Sequence, residues 1–248
     1  MGAAEIVPGV SGGTIAFISG IYERLVNALK CFTPVLILEL RDKGIKAVWV
    51  LTDATFLARL FAAMGIAIVI FANVISYLLQ NEPVVIWSFF FGLVLASCWV
   101  VSRGADLGTL ETYLFLGSGV MTGLVITYLE PLEIQPSVIA LFFGGMVAVC
   151  AWILPGISGS FILLILGLYA FVVEAIRSAD LISLIALGGG CAVGLVSFSH
   201  LLSMLFARFR NATFALLTGF MMGSLAKLWP WKNTVSYHLK SDGGQIPL

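Results

Sequence analysis

Charged residues are scarce in this sequence. Lysine, arginine, aspartate and glutamate together make up 10% of the 248 residues, whereas 60% are hydrophobic. A soluble globular domain is about a quarter charged, so this composition excludes a water-soluble fold and predicts a membrane protein. The 13 basic and 13 acidic residues balance without a basic tail or stripe, and we therefore expect no nucleic acid partner.

Metal-binding and nucleotide-binding motifs are also missing. The four cysteines, Cys31, Cys98, Cys150 and Cys191, show no CxxC or Cys/His spacing, so we expect neither a metal site nor disulfides. The glycine-containing loops lack the Gly-Lys-Ser/Thr ending of a nucleotide P-loop, which disfavours ATP binding. We expect no cofactor, and an ion gradient remains as the energy source, with proton and sodium both open.

Long stretches without charge predict the membrane spans. A helix needs about 20 apolar residues to cross the hydrocarbon core. Residues 60–81, 83–102, 112–129 and 181–207 meet or nearly meet this length, and residues 211–226 form a shorter candidate. The chain is therefore expected to be an all-α polytopic membrane protein.

A Pro-Gly-x-Ser-Gly motif occurs twice within apolar sequence. Residues 8–22 align on residues 155–169 with a shift of 147, and eight of the fifteen positions are identical. Paired segments interrupted by glycine and proline are typical of the central site of a transporter. Two structures stay open for each hairpin: two crossing helices joined by a tight loop, or a re-entrant hairpin whose loop lies at depth against protein or water.

The spacing predicts two related units within a single transmembrane domain, residues 1–248. Each unit is a broken or re-entrant helical hairpin followed by two spans, at about 1–102 for repeat 1 and 134–231 for repeat 2. A linking span at about 112–129 joins them, and residues 232–248 form a polar tail. Because three spans, an odd number, separate the hairpins, we expect inverted repeats, as in many transporters.

Basic residues, which favour the cytoplasm in short loops, predict the orientation. Those on one side are Lys30, Arg41, Lys43, Lys46, Arg103, Arg208 and Arg210. The opposite short loops carry Arg177, Glu82, Glu130, Glu133 and Asp180. The first hairpin should open to the cytoplasm and the second to the outside. Residues 134–152 form an entry arm for the second loop, whereas Met1–Val7 alone precede the first, so we expect the natural chain to begin further upstream.

The two loops have the composition of an anion site. Glycines allow consecutive N–H groups to converge, and Ser11, Thr14, Ser158 and Ser160 are placed to cap the helices that follow. Such a helix end attracts phosphate or carboxylate. The alternative is that these small residues only let two helices pack closely. Intramembrane carboxylates mark ion pathways, which makes Glu5, and to a lesser extent Glu23, candidates for ion coupling.

These motifs resemble the signature of the polyprenyl-phosphate transporter family. The first is GAAEIVPGVSGGT at residues 2–14, followed by GIYER at 20–24, and the second is LPGISGS at 154–160, followed by GLY at 167–169. The resemblance covers nearly the whole chain. It implies a flippase that returns undecaprenyl phosphate to the cytoplasmic leaflet for reuse in cell-envelope glycan synthesis.

The resemblance, together with the local chemistry, gives the residues individual roles. The phosphate headgroup would contact Ser11, Gly12, Gly13, Thr14, Arg24, Ser158, Gly159 and Ser160. Arg24 would add charge-assisted hydrogen bonds, and Glu5 or Glu23 would couple transport to protons or sodium. The polyprenyl tail would stay among the membrane lipids, and association with further copies of the chain stays open.

Three alternatives remain at this point. Helix ends do not distinguish a lipid phosphate from a free one, so the chain could be a secondary transporter of a small soluble anion. A membrane-embedded lipid phosphatase would need a base beside Ser11 or Ser158, and His200 is the histidine that lies within an apolar run. A purely structural membrane subunit would leave both repeated motifs unexplained.

Overall fold

Long apolar helices dominate the structure, a computed structural model that describes residues 1–7, 10–33, 35–102, 108–129, 131–132, 134–231, 237–239 and 245–247. The helices are α1 (Gly2–Glu5), α2 (Gly12–Ile18), α3 (Tyr22–Leu29), α4 (Val35–Leu51), α5 (Ala54–Asn81), α6 (Pro83–Ser102), α7 (Leu110–Tyr128), α8 (Val138–Ile153), α9 (Gly159–Ile165), α10 (Tyr169–Arg177), α11 (Leu181–Arg208) and α12 (Arg210–Ser224). Two short strands in the tail, β1 (Tyr237–Leu239) and β2 (Gln245–Pro247), pair antiparallel. The described residues do not include Pro8, Gly9, Arg103, Glu130 and Glu133.

Four of the described helices are long and apolar enough to cross a membrane, namely α5, α6, α7 and α11. They coincide with the predicted runs, and the predicted class of helical multi-pass membrane protein is confirmed apart from the strand pair. A helix satisfies its own backbone hydrogen bonds, which lipid cannot do. Because the protein buries 11% of the most apolar window of α5, most of this helix is left for lipid to cover.

The second motif lies in a sharply bent pair of helices. α9 and α10 meet at 109° across a short break, and together they would be a fifth span if they crossed. Gly167 lies in the break with a φ of 71°, a conformation that glycine adopts without strain. The apolar helix α8 leads into the motif, as the predicted entry arm requires.

The first motif has nearly the same backbone conformation as the second. Ser11 precedes α2 with φ and ψ of −103° and 135°, and Ser158 precedes α9 with −98° and 135°. Gly20 follows α2 with the same φ of 71° that Gly167 has after α9. The repeat seen in the sequence is therefore also a repeat of conformation.

The likeness extends to the long helices after each hairpin. Both α5 and α11 contain 28 residues. Each ends in one non-helical residue, Glu82 with φ and ψ of −132° and 54° and Phe209 with −133° and 50°. The next helix, α6 or α12, begins at the following residue in both cases. The two halves thus share the order and shape of hairpin, long helix and second helix.

Ion pairs bring several helix ends together at one end of the bundle. Arg24 of α3 binds Asp53, the residue before α5, through two hydrogen bonds of 2.6 and 3.1 Å. Glu23 of α3 binds Arg210, the first residue of α12, at 2.7 Å. Because α11 ends two residues before Arg210, the start of α5 and the end of α11 lie at this same end. We call it the α3 end.

Glycines allow two helix pairs to pack with their backbones in contact. A Cβ added to Gly119 of α7 would meet the backbone of Leu216 in α12, and one added to Gly194 of α11 would meet Met146 in α8. Small residues drive such packing in membranes, where lipid is as apolar as leucine. The linking helix α7 is thereby fixed to α12, and α8 is fixed to α11.

Candidate functional site

The two motif loops contact each other directly. The Ser11 hydroxyl lies 3.2 Å from the carbonyl oxygens of both Trp152 and Leu154. From the other loop, the Gly156 N–H donates to the Thr14 hydroxyl at 2.9 Å. Ser11 and Thr14 are fully buried, with 1% and 0% exposure. In this conformation their hydroxyls hold the second loop, so a headgroup would reach them only after the loops separate.

Glycines allow close packing both between the two loops and within each half. A Cβ on Gly13 would meet the carbonyl of Ile153, and one on Gly159 would meet the carbonyl of Ala148 in its own entry arm. A Cβ on Gly12 would clash with the carboxylate of Glu5 in the same half. The predicted loop glycines therefore have a packing role, and contact with a headgroup stays a prediction for them.

Glu5 lies where the two halves join. Its Oε1 accepts a hydrogen bond from the Gly12 N–H at 2.8 Å. The side chain of Trp152, on the arm of the second loop, also lies close to this carboxylate. Under the shift of 147 residues, Trp152 occupies the position that Glu5 has in the first half. Glu5 thus hydrogen-bonds the first loop and lies beside Trp152, the residue that has the same position before the second loop.

The second loop forms a small cleft with the residues after α12. Ser158 and Ser160 share a hydrogen bond of 2.8 Å. Ser158 also lines a cleft with Lys227, whose ammonium lies 4.4 Å from the centre of the Phe161 ring. Other lining residues are Ile126, Thr127, Gly156, Ile157, Phe161 and Ser224. Its volume is about 10 Å³, room for one water molecule.

A larger basin lies at the α3 end. It has a volume of about 300 Å³ and is lined by Arg24, Thr55, Phe56, Arg59 and Leu60. The Arg24 guanidinium lies 4.3 Å from the centre of the Phe56 ring. The basin therefore combines two cations with apolar side chains, which suits an anionic headgroup on an apolar tail.

Arg24 and Glu23 form ion pairs at the α3 end and do not belong to the joined loops. The hydrogen bond from Arg24 holds the pKa of Asp53 below its ordinary range, so this carboxylate stays charged. The Glu23 carboxylate forms an ion pair with Arg210. The candidate residues thus fall into three groups: the joined loops with Glu5, the serine pair with Lys227, and the ion pairs of the α3 end.

Arg59 and Lys227 were not among the predicted site residues. Each is a single cation in or beside an apolar segment, with no neighbouring motif, so only its position within a potential span could have marked it. His200, which the phosphatase alternative requires, is exposed on α11 with its Nδ1 2.9 Å from the Val196 carbonyl of the same helix. Among the described residues, no three His, Cys, Asp or Glu side chains cluster as metal ligands.

Comparison with known proteins gives a consistent result. A family model described as "VCA0040-like: Undecaprenyl phosphate translocase-like" matches residues 1–246. A protein of Vibrio cholerae named polyprenyl-phosphate transporter is 46% identical over 248 residues, 100% of this chain and 80% of the relative. A Staphylococcus aureus protein of the same name is 32% identical over 259 residues, 93% of this chain and 83% of the relative. No solved structure matches significantly. The chain therefore belongs to the VCA0040-like family of undecaprenyl phosphate translocase-like proteins.

Proposed function

We propose that this protein transports polyprenyl phosphate, in the form of undecaprenyl phosphate, across the cytoplasmic membrane of a prokaryote. The carrier lipid returns in this way to the cytoplasmic leaflet for reuse in cell-envelope glycan synthesis. Support comes from the family match over residues 1–246 and from the identity of 46% with a named polyprenyl-phosphate transporter along the whole chain. The mechanism rests on the direct contact between the two similar loops. One cationic site contains Arg24 and Arg59, and the other contains Lys227 beside the second loop.

The two halves are inverted repeats in this proposal. Arg24 and Asp53 place the start of α5 at the α3 end, and Glu23 and Arg210 place the end of α11 there. The two corresponding helices of 28 residues therefore run in opposite directions. The bend of 109° between α9 and α10 supports a re-entrant second hairpin. Inverted broken hairpins are a common architecture for transporters with a central site.

The phosphate moves between the two loops while the tail stays in lipid. Arg24 binds the headgroup at the α3 end, and Ser158, Gly159 and Ser160 contact it at the second loop. Ser11 and Thr14 become available when the loop contact opens, because their hydroxyls then lose their partners in the second half, and Gly12 and Gly13 lie between these two residues. The apolar outer surfaces of α5 and α11 leave the isoprenoid tail in a lipid environment throughout.

Glu5 couples this movement to an ion gradient. A carboxylate accepts the Gly12 N–H strongly, whereas a protonated carboxyl accepts it weakly, so proton binding would weaken the hold of Glu5 on the first loop and release the Gly12 N–H. Sodium binding at the carboxylate would have a similar effect by competing for its oxygens. Glu23 is the second candidate, with the Arg210 ion pair as the contact that would change.

The direct test is transport by purified protein in vesicles. Labelled undecaprenyl phosphate is placed in one leaflet, and its arrival in the other is followed with and without proton or sodium gradients. We expect faster movement than in empty vesicles, and further acceleration by one of the gradients. Movement of inorganic phosphate without movement of the lipid would overturn the proposal and favour a soluble anion transporter.

A further inference from the structure

We propose that Lys227, together with the Ser158–Ser160 pair, forms a second binding site for a phosphate monoester, on the opposite side of the membrane from the Arg24 and Arg59 basin. This inference rests on the proposed function and adds a residue and a location to it. It gives each leaflet its own cationic site for the headgroup.

The chemistry of the cleft fits a phosphate monoester. A lysine ammonium offers three N–H donors, and each serine hydroxyl offers one donor that can rotate. Ser158 and Ser160 bond mainly to each other, at 2.8 Å, so a bound oxygen can take over one of these hydrogens. The Lys227 ammonium lies 4.4 Å from the centre of the Phe161 ring, in the cleft that Ser158 also lines. Lys227 follows an apolar helix, and ionisable side chains beside apolar segments of membrane proteins often have a function.

The length of α12 places this cleft far from the α3 end. α12 begins at Arg210, which is bound to Glu23, and runs for 15 residues to Ser224. At about 1.5 Å per residue the helix covers roughly 22 Å. Lys227 follows within one turn, so the two cationic sites are separated by most of the roughly 30 Å of the hydrocarbon core.

The two sites also differ in how open they are. The Arg24 and Arg59 basin has about 300 Å³, whereas the Lys227 cleft has about 10 Å³. A phosphate fits the first and is excluded from the second until the residues after α12 move away from the second loop. Alternating access requires one site to be open while the other is closed. In this conformation the open site is the one at the α3 end.

The experiment measures lipid binding and transport for matched variants of the whole protein. Lys227→Gln removes the charge, Lys227→Arg keeps it, and Arg177→Gln removes an exposed charge from the end of α10 as a control. Purified proteins are titrated with a short-chain polyprenyl monophosphate, the corresponding polyprenol, and inorganic phosphate, with binding followed by native mass spectrometry. Membrane insertion and melting temperature are measured for each variant.

We expect two binding events for the polyprenyl monophosphate, and Lys227→Gln should weaken the second by about tenfold, the effect of one charge-assisted hydrogen bond. Lys227→Arg and Arg177→Gln should bind as the unmodified protein does, and the polyprenol should bind equally to all. A folded Lys227→Gln protein with unchanged affinity would overturn the Lys227 site while the proposed function stands. If the unmodified protein binds only inorganic phosphate and moves no lipid, the proposed function fails and the inference fails with it.

Discussion

The two hairpins share a backbone but carry different side chains. Their turn glycines have the same φ of 71°, and the serines before α2 and α9 differ by only a few degrees. Under the shift of 147 residues, however, Glu5 corresponds to Trp152 and Arg24 corresponds to Phe171. Duplication thus gives two half-sites of the same shape, and the unrepeated side chains give each half a separate task.

The same contrast occurs at the start of the long helices. Asp53 and Asp180 both precede a helix of 28 residues. Asp180 caps its own helix by accepting hydrogen bonds from the backbone of Ile182 and Ser183. Asp53 makes no side-chain cap and binds Arg24 instead. One aspartate therefore stabilises a helix end, and the other orders a candidate binding residue.

The largest effect is expected from the carboxylate that the second half lacks. Glu5→Gln keeps an oxygen that can accept the Gly12 N–H but cannot bind and release a proton. Transport in vesicles should fall to the background of empty vesicles when driven by a proton gradient, with normal insertion. Glu174→Gln, which changes an exposed carboxylate on α10, is the matched control and should retain the response. A gradient response of Glu5→Gln equal to that of the unmodified protein would assign coupling to another group.

The two turn glycines should differ in stability although their backbones agree. Gly20→Ala meets no atom within 4 Å, so it costs about 1 kcal/mol for the left-handed conformation alone. Gly167→Ala also drives its Cβ into the carbonyl of Leu132, for a total of roughly 2–4 kcal/mol. Unfolding of detergent-solubilised protein measures both. Equal losses of unfolding free energy would mean that the backbone at Leu132 shifts to accommodate the added Cβ without a loss of stability.

Replacement of the two aspartates should separate their roles. Asp53→Ala frees the Arg24 guanidinium, so the affinity for polyprenyl monophosphate should change severalfold while the melting temperature moves little. Asp180→Ala should lower the melting temperature slightly, through the lost cap, and leave lipid affinity unchanged. Titration and melting of both variants provide the measurements. The comparison fails if both substitutions act on affinity, or both on stability alone.

The smallest effect concerns acid stability. The Ser183 hydroxyl and backbone donate to Asp180 and hold its pKa below the ordinary value of 3.8. A lowered pKa in the folded state gives stability that is present above pH 3.8 and is lost as the pH falls below it. Ser183→Ala should therefore flatten the decline of the melting temperature between neutral pH and pH 3. An unchanged decline would show that Ser183 does not influence this carboxylate.

Hydropathy and the repeated motif predicted much of this structure. The charge-free runs located the four long helices because lipid forces apolar residues into continuous stretches. The shift of 147 residues located both loops because each turn has a φ of 71°, which glycine adopts without strain, so both copies carry glycine at the same position. These are local properties of the chain, which a sequence displays directly.

Contacts between distant segments were beyond the sequence. Contact of Ser11 and Thr14 with a headgroup stays a prediction, whereas the sequence did not predict that their hydroxyls join the two loops, a contact that spans more than 140 residues. Lys227 was overlooked because its neighbours in the chain are apolar, and Ser158, which lines the same cleft, precedes a helix that is distant in the sequence, α9. Periodicity tells which residues share a helix face, whereas the partner across the bundle depends on packing.

One measurement tests the central claim of two cationic sites, one for each leaflet. Purified protein is inserted in a single orientation, and the KM for polyprenyl phosphate is determined separately with the lipid supplied from either leaflet. The account predicts that Lys227→Gln raises the KM from the leaflet opposite the α3 end, and that Arg24→Gln raises it from the leaflet at the α3 end. Both variants raising the KM from the same leaflet, or neither raising it from either, would contradict the account.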